Sequence, residues 1–133
     1  MRTYLFVTQP EYTPERVERG FDVPWWSCSS TTEEGDRVFV FVAGVGLQYE
    51  WRVTSNATRN DEWKFICDVE HVRSFNPVIT IQELRKAFPK DVWYPPHRLG
   101  GVKSILIPEP VVARILALRP PPGVPRAAVS QVS

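Results

Sequence analysis

The chain has 133 residues, 43% hydrophobic and 23% charged, with 16 basic and 15 acidic side chains and a formal net charge of +1. These values fit one soluble globular domain with a single core, and they exclude a bulk polycation, so any nucleic-acid contact must rest on a local patch. No run of about 18 apolar residues occurs, so neither a membrane span nor a membrane partner is expected.

The first segment, Met1–Val7, is too short for a signal peptide, and Tyr4–Thr8 reads as a strand closed by Gln9-Pro10. Thr13 followed by Pro14 starts a short helix that Gly20 ends. From Asp36 to Ala43, Val38, Val40 and Val42 face one way and Phe39 and Phe41 the other. A strand apolar on both faces is covered on both sides. Gly44-Val45-Gly46 is a turn, and Leu47, Tyr49, Trp51 and Val53 then alternate with polar residues in a half-exposed strand.

Ser55–Asp61 reads as a polar loop, and Trp63–Phe75 as one bent or bulged strand with Phe65, Cys67 and Val69 on one face. Thr80 with Glu83 forms a capping box opening a helix over Ile81–Phe88, which Pro89 stops. A Pro/Gly-rich loop covers Val92–Gly101, a last strand Val102–Ile107, and a helix Pro110–Leu118. Residues 119–133 have the composition of a Pro-rich tail or linker, so residues 1–118 are the expected domain. The expected fold class is α+β: a small closed or nearly closed barrel of about five or six mostly antiparallel strands with about three short helices.

Cys28 and Cys67 lack Cys-x-x-Cys spacing. Two such thiols fit a reducing cytoplasm better than a zinc site, and the sequence leaves a disulfide between them open. No nucleophile motif, phosphate-cradling glycine loop or His-Glu-x-x-His helix is present, so neither catalysis, nor a metal, nor a cofactor is expected. His71 and His97 are the only histidines, and neither has a Ser or Cys at motif spacing. Binding remains. Arg85, Lys86, Lys90, Arg98 and Lys103 gather within 19 residues, interleaved with Trp93, Tyr94 and Gly100-Gly101. Such side chains contact phosphates, although Arg85 and Lys86 also read as an ordinary solvated helix face.

Five tryptophans are a high load for this length. Aromatic rings with small polar neighbours suit a pocket for an extruded base. Trp26-Ser27 before the strand at Asp36, the element Gly35-Asp36-Arg37-Val38-Phe39-Val40-Phe41, and Asp61-Glu62-Trp63-Lys64 running into Phe65–Val72 together resemble the EVE and YTH domains of the PUA-like superfamily. The resemblance covers roughly residues 4–118 and is closest to EVE-like domains of modification-dependent restriction systems. It implies a barrel that takes a flipped, modified base into an aromatic cage.

On this resemblance Trp26 matches the first cage aromatic, Ser27 the small residue contacting the base, and Trp63 the second wall. Thr8 and Gln9 match the polar base-edge contacts. The family's lysine is missing there, since the chain has Thr8-Gln9-Pro10. Tyr49, Trp51 and Trp93 are candidates for a third wall, while Trp25 and Trp51 read more readily as core. Arg85, Lys86, Arg98 and Lys103 are the expected backbone contacts. The expected function is a non-catalytic reader of a modified base in double-stranded DNA. A 5-methylcytosine or 5-hydroxymethylcytosine is favoured over N6-methyladenine. A nuclease or NTPase domain or subunit is the expected partner. The alternatives are an RNA-binding or RNA-modification accessory module and an enzyme acting on a nucleotide.

Overall fold

A computed structural model describes residues 1–9, 25–98 and 103–121. Among them the strands are β1 (Thr3–Thr8), β2 (Trp26–Ser27), β3 (Arg37–Val42), β4 (Gly46–Val53), β5 (Thr58–Asn60), β6 (Lys64–Cys67), β7 (Val69–Thr80) and β8 (Lys103–Leu106). Two α-helices, α1 (Ile81–Ala87) and α2 (Glu109–Leu118), and a 3-10 turn at Pro95–His97 accompany them. One mixed sheet has the order β7-β4-β3-β1-β8, and a smaller one the order β2-β6-β5. Among the described residues β1 and β3 pair in parallel and every other ladder is antiparallel.

The centre of the large sheet dictates the layering. Val38, Val40 and Val42 pack with Tyr4, Phe6, Tyr49 and Trp51 on one face, whereas Phe39 and Phe41 pack with Leu5, Val7, Leu84 and Ile115 on the other. Each of these five β3 side chains is at most 2% exposed. At about 1.5–3 kcal/mol per buried large apolar side chain, the strand contributes on the order of 10 kcal/mol of gross burial before chain entropy is subtracted. Both helices cover the Phe39/Phe41 face, and the small sheet with Trp26, Cys28 and Cys67 covers the valine face. The expectation that this strand is buried on both sides is met.

Local chemistry sets the element ends. The Thr80 hydroxyl accepts the Glu83 N–H at 3.1 Å and opens α1. The Glu83 carboxylate does not return to the cap; it takes both arms of Arg119 at 2.8 and 2.9 Å instead. Arg119 also donates to the carbonyls of Pro77 and Val78, and Pro120 accepts from Arg73. Hydrogen bonding to the domain therefore runs past the expected boundary at residue 118. At the β3–β4 turn Gly46 has φ +134°, and a Cβ there would overlap the Ile79 carbonyl oxygen. Only glycine satisfies both constraints.

Several expectations need correction. The polar loop at 55–61 contains β5. The single strand expected from Trp63 to Phe75 is two strands, because the chain leaves the small sheet at Asp68. There its N–H donates to Ser55 Oγ and its carbonyl accepts from the Thr54 N–H, both at 2.8 Å. Among the described residues eight strands replace the five or six expected, and they form two separate sheets with no closed barrel. The helix expected over 13–20 lies outside the described residues.

Candidate functional site

Among the described residues Trp26 stands on the shortest strand, β2. It pairs with Cys67, Ser27 pairs with Ile66, and the Cys28 N–H donates to the Phe65 carbonyl at 3.0 Å. Two-residue pairing is weak by itself, so side-chain packing has to fix this segment. The half-buried Trp26 ring meets Trp51 edge-on with centroids 5.2 Å apart, and Trp51 stacks on Tyr49 at 6.4 Å with an interplanar angle of 12°. Tyr49 in turn meets His71 edge-on at 5.9 Å. Aromatic pairs of this kind contribute about 0.5–1.5 kcal/mol each beyond their burial. The column Trp26–Trp51–Tyr49–His71 thus holds one edge of the small sheet against the large one. At its end burial pushes the His71 imidazole below its usual value, favouring the neutral ring.

Trp63 sits at the β5–β6 turn and is 39% exposed. Asn60 shapes this turn, its side-chain oxygen accepting the N–H groups of Glu62 and Trp63 at 2.9 and 3.0 Å. Lys64 follows at φ +68°, which turns the chain into β6. The register opposite Cys67 sets Trp26 four residues from Trp63 along β6, up to about 13 Å of extended strand. No ring contact joins the two among the described residues.

The other expected site residues divide between the two faces of the large sheet. Trp93 is 7% exposed and packs edge-on against Phe88 at 5.2 Å, in the core beneath the helices. It lies across the large sheet from Trp26 and cannot share a pocket with it; its role is to anchor the Pro-rich loop. Tyr49 is 2% exposed and backs Trp51, so it supports Trp26 from behind and forms no wall. Thr8 is fully buried, which removes it as an open base-edge contact, whereas Gln9 is half-buried. Trp26 and Cys28 both turn toward the core, so alternation sends the Ser27 side chain the opposite way. Trp51 is core as expected; Trp25 is not, being 42% exposed.

The expected phosphate contacts are not beside Trp26. Arg85 and Lys86 project from α1 on the helical side, where the Arg85 guanidinium donates to the Pro96 carbonyl at 2.9 Å. Arg98 is exposed just after the 3-10 turn, and Lys103 lies in β8 opposite Val7, its side chain outside the described residues. With layers roughly 10 Å apart, the α1 cations stand about two layers from the small sheet. Two exposed cations that sequence reading passed over are nearer Trp63: Arg59 on β5 and Lys64 on β6. The available signal was their placement on either side of the Asn60–Trp63 turn.

A cavity of about 480 Å³ opens between β7 and the end of α2, lined by Arg73, Ser74, Asn76, Pro77, Leu118, Arg119 and Pro120. Both arginines already have carboxylates. Arg73 reaches Glu50 at 2.9 Å and lies over the Phe75 ring, and Arg119 takes Glu83. The first pair ties β7 to β4, and the second ties the end of α2 to α1. Among the described residues no cluster of three or more His, Cys, Asp or Glu could hold a metal, and no helix is long and apolar enough to cross a membrane.

The architecture is thus a small α+β domain in which a two-residue tryptophan strand is laid over a mixed sheet. That fold recurs in solved bacterial proteins. A crystal structure from Pseudomonas putida is 18% identical with a TM-score of 0.71, covering 88% of this chain and 99% of its own. One from Pseudomonas syringae is 17% identical at 0.70 with the same coverage. One from Agrobacterium tumefaciens is 14% identical at 0.69, covering 94% and 99%. All three are structural-genomics targets, and at these identities the likeness is one of fold. No protein-family model and no curated protein matches the chain.

Proposed function

We propose that the protein is a non-catalytic reader of a modified base in double-stranded DNA, of the EVE or PUA-like kind, with the small sheet as its binding face. The observation that carries this reading is the placement of tryptophans on one three-stranded sheet. Trp26 is braced from behind by Trp51, and Trp63 is exposed at the turn end of the neighbouring hairpin.

Stacking contributes about 1–3 kcal/mol per base and unstacking costs a few kcal/mol, so the two nearly cancel. Selectivity then falls to the modification and the base edge. Gln9 and the Ser27 backbone are the polar groups assigned to that edge. 5-Methylcytosine or 5-hydroxymethylcytosine is the favoured modification. Arg59 and Lys64 take over the phosphate role from Arg85 and Lys86, because they flank Trp63. A nuclease or NTPase partner would supply the response, and a cytoplasmic setting fits the two free thiols.

Titration of the protein at fixed salt with a 5-methylcytosine duplex, its unmodified counterpart and single-stranded RNA tests the assignment. The reader binds the methylated duplex tightest. Tighter binding of the RNA would replace this reading with an RNA-accessory role, and turnover of an added nucleotide would replace it with an enzyme.

A further inference from the structure

We propose that the cavity between β7 and the end of α2 binds a small carboxylic acid, its carboxylate held by the outer end of the Arg73 guanidinium. The site stands apart from the small sheet assigned to base reading. Its two arginines are unequally satisfied. A guanidinium has five N–H donors. Arg119 spends all five: Nε on the Pro77 carbonyl, Nη1 on Glu83 and the Leu118 carbonyl, and Nη2 on Glu83 and the Val78 carbonyl. Arg73 donates from Nε to Glu50 at 2.9 Å and from Nη1 to the Pro120 carbonyl at 3.0 Å. Its Nη2 is buried with no hydrogen-bond partner among the described residues. Buried donors on a charged side chain are rarely left this way, because each has given up its water without a replacement.

The charges are unequal in the same sense. Glu83 serves Arg119, whereas Glu50 is shared between Arg73 at 2.9 Å and Arg37 at 3.7 Å. Three guanidiniums thus face two carboxylates, and the excess of one positive charge lies on the β7 side. A monoanion balances it, and a phosphate dianion overshoots.

The cavity, at about 480 Å³, falls within the roughly 300–1,000 Å³ range of small-molecule sites. Leu118, Pro77 and Pro120 supply apolar wall, and Ser74 and Asn76 supply an exposed hydroxyl and an exposed amide. That lining fits a compact apolar body carrying one anionic group. Pro120 covers the outer end of Arg73, and among the described residues it makes no other hydrogen bond to β7. A carboxylate is a stronger acceptor than this neutral carbonyl and can bridge Nη1 and Nη2 together. The ligand therefore takes the place of the Pro120 carbonyl and supplies the partner that Nη2 lacks.

The test follows amide and arginine side-chain NMR signals of the isotope-labelled full chain at constant ionic strength. The probes are acetate, isobutyrate and benzoate, the neutral amide of each, and inorganic phosphate. At least one carboxylate should give saturable shifts centred on Ser74, Asn76, Leu118 and Arg119 and move the Arg73 side-chain signals, while its amide gives none. Arg73→Lys keeps the charge but loses the two-donor end, so affinity should fall about tenfold or more. Trp63→Ala should bind the acid like wild type, which separates this site from the base-reading face. No saturable shift with any of the three carboxylates would overturn the proposal. So would equal shifts from the matching amide, shifts centred away from the cavity, or tighter binding of phosphate than of every carboxylate. The wild-type comparison of acid with amide decides the matter even if Arg73→Lys fails to fold.

Discussion

Replacing Trp63 and Trp26 by alanine, one at a time, separates a binding role from a packing role. Trp63 is 39% exposed at a turn whose hydrogen bonds come from the Asn60 side chain, so Trp63→Ala leaves the turn intact. Its stability cost should stay within about 1 kcal/mol. If Trp63 stacks on the bound base, the lost 1–3 kcal/mol weakens the modified duplex by about 5- to 150-fold. Trp26 is half-buried with its edge on Trp51. Its truncation should cost about 2–3 kcal/mol, or roughly 7–11 °C in melting temperature for a domain of this size, together with the loss of binding. Differential scanning fluorimetry and anisotropy titrations on the same preparations read both quantities. A Trp63→Ala protein that binds the modified duplex like wild type, with an unchanged melting temperature, would refute the stacking role. A Trp63→Ala protein as destabilised as Trp26→Ala would refute the assignment of Trp63 to the surface.

Other substitutions probe the frame and the charge assignment. Asp36 is 4% exposed and accepts the N–H groups of Arg2 and Glu33 at 3.0 and 2.9 Å. Asp36→Ala should cost about 2–4 kcal/mol in urea unfolding and Asp36→Asn clearly less, because one acceptor survives. Gly46→Ala should fail to fold or lose more than about 3 kcal/mol, since its Cβ meets the Ile79 carbonyl at a φ that L-residues avoid. In a salt titration of duplex binding, the Arg59→Ala/Lys64→Ala double variant should lower the slope by up to about two phosphate contacts. Arg85→Ala should leave that slope unchanged, because Arg85 points to Pro96 on the helical side.

How much of this was legible in the sequence depends on the length over which a pattern repeats. The alternation Val38-Phe39-Val40-Phe41-Val42 fixes a strand buried on both faces, and Thr80 with Glu83 fixes a helix start; both stand in the fold. Periodicity carries no information about which strands pair, so the parallel β1–β3 ladder was invisible. β2 and β5, at two and three residues, are too short to show any period. The break at Asp68 comes from hydrogen bonds to Thr54 and Ser55, more than a dozen residues away.

The site was less legible for a related reason. In Trp25-Trp26 alternation says that the two rings diverge but not which one faces the core, and it is Trp26 that packs inward. Trp93, read from a loop of prolines and cations, anchors that loop in the core. Arg85 and Lys86 are near Trp93 in the chain, yet the large sheet lies between them and Trp26.

The central claim is that the small sheet reads a base modification. Competition binding with duplexes that differ in a single base tests it most directly: cytosine, 5-methylcytosine, 5-hydroxymethylcytosine, and adenine against N6-methyladenine at the same salt. The account predicts that one 5-substituted cytosine duplex competes clearly better than its unmodified counterpart and that the preference vanishes in Trp63→Ala. Equal competition by every duplex, the unmodified ones included, would contradict it.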